Sequence, residues 1–295
     1  MSPRVQSAES LYDRVSQEMC RVIIRRYSTS FSLASRLLDP PCRSHVENIY
    51  ALVRFADEIV DGGAAAAGLA QSDAAQVLDS FERETDAAIA SGYSINPIIH
   101  AFAKTARAVG FDQELTRPFF DSMRTDLSST DFDQGRFDAY VYGSAEVVGL
   151  MCLRAFLQGV PITAAADARL VYGARRLGAA FQKVNFLRDL QADFESLGRS
   201  YFPGVSVNSF TELDKNRIVD DIDDDLRAAA VVIPELPAGS RRAVALAHGL
   251  FAELSARLRS TPAAELVSCR VRVPNPTKIR IAAGAFVGRS PRLVS

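Results

Sequence analysis

Gln182-Lys183-Val184-Asn185-Phe186-Leu187-Arg188-Asp189-Leu190-Gln191-Ala192-Asp193 is the stretch on which the reading of this chain turns. Its polar residues Gln182, Asn185, Asp189 and Asp193 are spaced three, four and four. At about 100° per residue they stay within one strip of roughly 60° on a helix. A second stretch, Tyr50-Ala51-Leu52-Val53-Arg54-Phe55-Ala56-Asp57-Glu58-Ile59-Val60-Asp61, repeats the design. Tyr50, Arg54, Asp57 and Asp61 are spaced four, three and four. Two carboxylates at i,i+4 repel and weaken a helix. A chain that stacks them twice, among residues otherwise apolar, has a use for them. Mg²⁺ takes one or two carboxylates together with substrate phosphate oxygens, so facing acidic stripes suit a metal-bound diphosphate. Arg54 suits the same ligand, because guanidinium meets phosphate oxygens bidentately.

Helical periodicity runs through the chain in both directions from these stretches. A helix is expected over 9–26, with Leu11, Val15, Met19, Val22 and Ile23 on its buried face. Pro40 and Pro41 punctuate the chain. Ser44 and Glu47 then read as a capping box for the first acidic helix, which ends at Gly62-Gly63. Further helices are expected over 73–90, 95–109, 113–127, 137–158, 164–195, 210–233 and 239–259, with a loop at 128–136. Short β-branched pieces such as Val271-Arg272-Val273 are too few for a sheet. No linker separates two units, so the expectation is a single all-α domain.

Composition bounds the function. The 295 residues are 48% hydrophobic and 23% charged, with a formal net charge of −1. That is an ordinary globular composition, without the basic field that nucleic-acid binding requires. Cys20, Cys42, Cys152 and Cys269 have no C-x-x-C spacing and read as buried or half-buried thiols in a reducing compartment. His45, His100 and His248 are isolated, which argues against zinc. The N-terminal stretch lacks an apolar core, and no apolar run reaches the roughly 18 residues of a membrane span.

Spacing alone is a weak signal, and the chain carries its own control. Val219-Asp220-Asp221-Ile222-Asp223-Asp224-Asp225-Leu226 holds the Asp-x-x-x-Asp pattern twice. It reads as a solvated acidic face near a helix start, favoured by the macrodipole. Gly198-Arg199-Ser200-Tyr201-Phe202-Pro203 follows the second acidic stripe and suits a helix end, with Arg199 and Tyr201 close to the carboxylates. Tyr140-Val141-Tyr142-Gly143-Ser144-Ala145-Glu146-Val147-Val148-Gly149 places small residues where another helix or a ligand chain approaches closely. Glu146, in this otherwise apolar stretch, needs a partner.

Together these segments resemble the squalene/phytoene synthase family of head-to-head trans-isoprenyl diphosphate synthases. The resemblance extends from about Tyr27 to Lys278. It is carried by the two acidic stretches, by Gly198–Pro203, by Ser30-Phe31 ahead of the first stripe, by the Tyr140–Gly149 segment and by Arg270-Val271-Arg272-Val273. It implies one all-α bundle around a deep cavity, with a core of about 27–280. It also implies Mg²⁺, with Mn²⁺ as the alternative, held by Asp57, Asp61, Asp189 and Asp193 with Asn185. Tyr50, Arg54, Gln182, Asn185, Arg188, Arg199, Tyr201 and Arg270 would grip the diphosphate or its metal shell. Phe31, Ser144, Val148 and Gly149 would line the prenyl channel, and Ser30 and Tyr140 would stand near the reacting carbons.

The Asp57-Glu58-Ile59-Val60-Asp61-Gly62 form is most similar to bacterial phytoene synthases. The implied reaction joins two geranylgeranyl diphosphates to phytoene through a cyclopropylcarbinyl diphosphate, without NADPH. The nearest alternative is a C30 squalene or dehydrosqualene product from farnesyl diphosphate. A non-catalytic relative acting as an assembly or binding protein is the alternative of another class. The implied location is cytoplasmic, with peripheral contact at the inner face of the cell membrane. Two departures stand out: Phe251 where the family usually has Tyr, and Ser144-Ala145-Glu146 in place of a smaller, apolar run.

Overall fold

The computed structural model describes residues 9–128, 132–197, 201–268 and 270–286, without the side chains of 192–197, 207 and 286. The expectations placed on Arg199, on Cys269 and on the side chain of Asp193 lie outside the described residues. The helices in order are α1 (Leu11–Tyr27), α2 (Thr29–Ser35), α3 (Pro40–Val60), α4 (Gly63–Ala66), α5 (Gln71–Ser91), α6 (Pro97–Val109) and α7 (Gln113–Ser128). Then come α8 (Gln134–Val141), a π-helical turn (Tyr142–Glu146), α9 (Val147–Phe156) and α10 (Ala164–Leu197). The chain continues with α11 (Glu212–Val232), α12 (Ala238–Ser260), α13 (Ala263–Leu266) and α14 (Asn275–Phe286). The described residues contain no strand, so the all-α expectation holds.

Local chemistry explains most boundaries. Gly92 and Gly110 end α5 and α6 in the left-handed region, at φ 87° and 80°, where a side chain would be strained. Asn96 caps α6 by accepting from the amides of Ile98 and Ile99, with Pro97 at the first helical position. The expected capping box at Ser44 is not the start of α3. That helix begins at Pro40, with Asp39 at the N-cap, because proline presets the first turn and lacks only an amide that would be unpaired there. Glu47 is instead buried in mid-helix, accepting from Gln17 and lying 3.6 Å from Arg21.

The face expected on α1 is also corrected. Of its five apolar residues only Ile23 is buried; Leu11, Val15, Met19 and Val22 are exposed. α1 packs on α3 and α6 through Ser16, Cys20, Ile23 and Ile24. Ser16 and Cys20 are small, so the helices approach closely along that edge, and the wider apolar sector is left outside.

The bundle is organised around α10, which packs against α9, α11, α12 and the π turn. Gly178 makes this possible, since a Cβ there would stand 2.5 Å from the carbonyl oxygen of Ala145. One large apolar cluster joins α8, α10, α11 and α12 through Phe137, Leu187, Ile222 and Leu254. A second joins α3, α6, α7 and α9 through Leu52, Phe102, Phe119 and Met151. The acidic stripe of α3 ends at the second cluster, and that of α10 lies against the first.

Candidate active site

At the end of α3, Arg54 donates to Glu58, with Nε 3.2 Å from Oε1, and its guanidinium lies 4.6 Å over the Tyr27 ring. Its distance to Asp57 is longer, 3.9 Å. Asp57 therefore has little positive charge close by, although its side chain is only 29% exposed. Partial burial pushes its carboxyl well above the usual carboxylate range, and the charges of Asp61 and Asp126 push it further, against Arg54. Asp61 is exposed at the C-cap. Tyr50, half-buried, is pushed up to about 12 by burial.

Asp126 is the residue that the sequence reading missed. It is buried on α7, and its carboxylate accepts from Tyr140 Oη at 2.9 and 2.8 Å and from Tyr201 Oη at 3.2 Å. Its signal was an acid continuing the apolar stripe Thr116, Phe119, Met123 of an amphipathic helix. Tyr140 and Tyr201, both buried, thus meet on one carboxylate. Burial pushes Tyr140 well above its ordinary value, and Asp126 adds to this, so the phenol keeps its proton.

On α10, Arg188 donates to Asp189 through Nε and Nη2, at 3.1 and 2.5 Å. Arg270, beyond α13, reaches the same carboxylate at 2.7 and 3.1 Å. Gln182 and Asn185 are half-buried on the same helix. The two acidic stripes are joined through rings. Phe31 of α2 lies 6.1 Å from Tyr50, 5.7 Å from Phe181 and 5.8 Å from Phe251. Phe181 stacks on Phe251 at 3.9 Å, and Phe186 stacks on Tyr201 at 3.9 Å. Tyr140 and Phe132 complete the second group, at 5.3 Å from each other. Ser30 is half-buried beside Phe31.

The central segment divides. Tyr142–Glu146 forms the π turn, against α7. A Cβ on Gly143 would stand 2.1 Å from the carbonyl oxygen of Pro118, and one on Gly149 would stand 2.7 Å from that of Ala174. Both glycines allow close helix packing. Ser144 and Val148, one turn apart, are half-buried, and Ser144 Oγ has no hydrogen-bond partner among the described residues. Glu146 finds its cation in Arg175, at 2.6 Å.

The oxygen-only donors suit a hard cation. Among the described residues no three His, Cys, Asp or Glu side chains form a metal-holding group. The donors fit a hard cation by chemistry, and the two stripes differ in charge. Asp57, Asp61 and Asp126 crowd negative charge that a cation would relieve, whereas Asp189 is already neutralised by two arginines. The remaining titratable groups are structural. Cys20, Cys42 and Cys152 are free thiols pushed up to about 12 by burial. His100 pairs with Asp13 at 2.8 Å, and His248 meets the Leu226 carbonyl at 2.9 Å.

Residues 24–277 match the squalene/phytoene synthase family profile. A phytoene synthase of Arthrospira platensis is 30% identical over 208 residues, covering 68% of this chain and 65% of that protein. A phytoene synthase of Mycobacterium tuberculosis is 27% identical over 285 residues, covering 90% of this chain and 88% of its own length. The crystal structure of a dehydrosqualene synthase in complex with ligand superposes with a TM-score of 0.76 at 20% identity. It covers 94% of this chain and 97% of that one, a likeness of fold.

Proposed function

This chain belongs to the squalene/phytoene synthase family, and from that premise we propose that it condenses two geranylgeranyl diphosphates head to head. The product is phytoene, formed through a cyclopropylcarbinyl diphosphate, with one diphosphate released at each of two ionisations. Relatives named phytoene synthase, at 30% and 27% identity, favour this product over the C30 alternative. The observation that carries the reading is the pair of acidic stripes, each backed by arginine and joined by an aromatic floor.

Asp57 and Asp61 on one side, and Asp189 and Asp193 with Asn185 on the other, would hold Mg²⁺ or, alternatively, Mn²⁺. Members of the family depend on a divalent metal. When bound, the ion supplies Lewis-acid stabilisation of the leaving diphosphate. The remaining work belongs to the chain. Arg54, Arg188 and Arg270 turn from their carboxylates towards diphosphate oxygens as the charge balance changes, a role that Tyr50, Gln182, Arg199 and Tyr201 support. Tyr140, held protonated by burial and donating to Asp126, offers a neutral dipole and not a base. The ring faces of Phe31, Phe181 and Phe251 stabilise an allylic cation by cation–π attraction and keep water away. Ser144 and Val148 face the prenyl chain, and Ser30 stands beside the reacting end. The working unit is one all-α domain, located in the cytoplasm with peripheral contact at the membrane. No described helix is long and apolar enough to cross a membrane.

Product analysis tests the reading. Purified protein with Mg²⁺ receives geranylgeranyl or farnesyl diphosphate separately, with and without NADPH. A C40 hydrocarbon from the C20 substrate without NADPH is expected. A C30 hydrocarbon from farnesyl diphosphate alone would move the chain to the squalene or dehydrosqualene branch. No product from folded protein would favour a non-catalytic relative.

A further inference from the structure

α1 turns outward a face that no other described element covers. Leu11, Val15, Met19 and Val22 are 69%, 43%, 41% and 54% exposed. Their positions fall within about 80° of helix arc. Arg14, Arg21 and Arg25 occupy the adjoining arc, Arg26 lies at the C-terminal end of the apolar strip, and Glu18 is the one acid among them. Four isolated apolar side chains on a surface would be unremarkable. A continuous strip edged by arginines on a single helix is the pattern of a helix lying in a membrane interface.

Beside this strip, α1, α2 and α3 enclose a polar pocket whose lining includes Arg21, Arg25, Arg36, Arg43, Ser32 and Glu47. Four arginines and one carboxylate line it. Arg21 lies 3.6 Å from Glu47, and Arg43 donates to the carbonyls of Ser35, Arg36 and Leu38 at the end of α2. Arg25 and Arg36 have no carboxylate partner among the described residues. The pocket therefore carries a surplus of positive charge in a concave site, which suits a phosphate group. A second copy of this chain would meet arginine with arginine there.

We propose that the outward face of α1 is a bilayer-docking surface. Its apolar strip enters the interface of an anionic membrane, and the pocket at Arg25 and Arg36 takes the phosphate of an anionic phospholipid headgroup. Each basic residue near such a surface strengthens binding by about fivefold. The inference deepens the proposed reading, because a lipid-like substrate would be drawn from that membrane. The C-terminal residue of α1, Tyr27, lies under Arg54 of the acidic stripe, so docking brings the candidate site to the lipid.

Flotation with vesicles tests it, using the full chain. Protein should float with phosphatidylcholine vesicles containing phosphatidylglycerol and stay behind with phosphatidylcholine alone. The double variant Arg25→Glu/Arg36→Glu should lose at least about tenfold in vesicle affinity. Val15→Ser/Val22→Ser should lose a similar factor. Both variants should keep the parental melting temperature and turnover of detergent-dispersed substrate. Equal flotation of parent and charge variant would overturn the proposal. So would calorimetric binding of inorganic phosphate without vesicle binding, which would make the pocket a site for a soluble anion. A dimer on size exclusion, abolished by Val15→Ser/Val22→Ser and unaccompanied by flotation, would assign the face to a second copy. Flotation does not depend on turnover, so a protein inactive on both prenyl diphosphates could still support or refute this surface.

Discussion

α3 and α11 carry the same Asp-x-x-x-Asp spacing and treat it in opposite ways. On α11 each acid of the run 220–225 has a cation. Asp225, fully buried, lies 2.5 Å from Arg176 and 2.9 Å from Lys183. Asp223, also buried, meets Arg259 and the Ser255 hydroxyl, at 2.9 and 2.6 Å. Asp220 pairs with Arg259, Asp221 with Lys183 and Asp224 with Arg227. On α3, Asp57 has one guanidinium at 3.9 Å, and that group sits closer to Glu58. Spacing thus decides nothing by itself. Between these two helices, close counter-charge marks the acidic run that closes the fold, and Asp57 has none within the distances found on α11. The comparison also corrects the expectation that the α11 run is a solvated face near a helix start. α11 begins at Glu212, so the run lies in mid-helix, and two of its acids are buried inside ion pairs.

The sharpest way to break this contrast is to remove one acid from each helix. Asp57→Ala or Asp189→Ala should lower kcat/KM for the prenyl diphosphate by about 10³-fold or more, because both metal and leaving-group stabilisation go. Asp224→Ala should stay within about twofold of the parent. Asp225→Ala should leave the chemistry in place but destabilise the fold by roughly 3 kcal/mol, about 6–12 °C in melting temperature, since Lys183 and Arg176 lose a buried partner. Calorimetry and steady-state kinetics on the same samples separate the two effects.

A smaller effect has the opposite sign. Asp57 is held above its unfolded value, so ionising it costs folding stability. The cost is absent at low pH, where the group is protonated in both states, and grows as pH rises through the carboxylate range towards the raised folded value. Asp57→Asn should therefore stabilise the metal-free protein at neutral pH by on the order of 1 kcal/mol after solvent screening. That gain should vanish in acid, and Mg²⁺ should stabilise the parent more than the variant. The smallest expected change is Phe251→Tyr. It adds a hydroxyl beside Phe31 and Phe181 and should alter stability by less than about 1.5 kcal/mol while lowering KM a few-fold. Unchanged KM would show that the hydroxyl finds no diphosphate there.

The long helices were legible because periodicity and glycine or proline stops agree over many residues, as at Asn96–Gly110. α2 and α14 were not, since seven and twelve residues give few periods to count. The face of α1 was misread because its apolar sector is wider than its contact with α3 and α6. At the site, the stripes and their arginines were legible from i,i+3 and i,i+4 spacing. Asp126 was not, because an acid on an apolar stripe has meaning only when Tyr140 and Tyr201 arrive from distant segments. The glycines of the central segment were ambiguous in sequence. The carbonyls of Pro118 and Ala174, close against them, show the packing role.

Isothermal titration of Mg²⁺ with inorganic diphosphate into the folded protein tests the central claim most directly. The account predicts saturable binding in the parent and in Asp224→Asn, lost in Asp57→Asn and in Asp189→Asn. Full binding in Asp57→Asn, or equal loss in Asp224→Asn, would contradict the assignment of the two stripes as the diphosphate site.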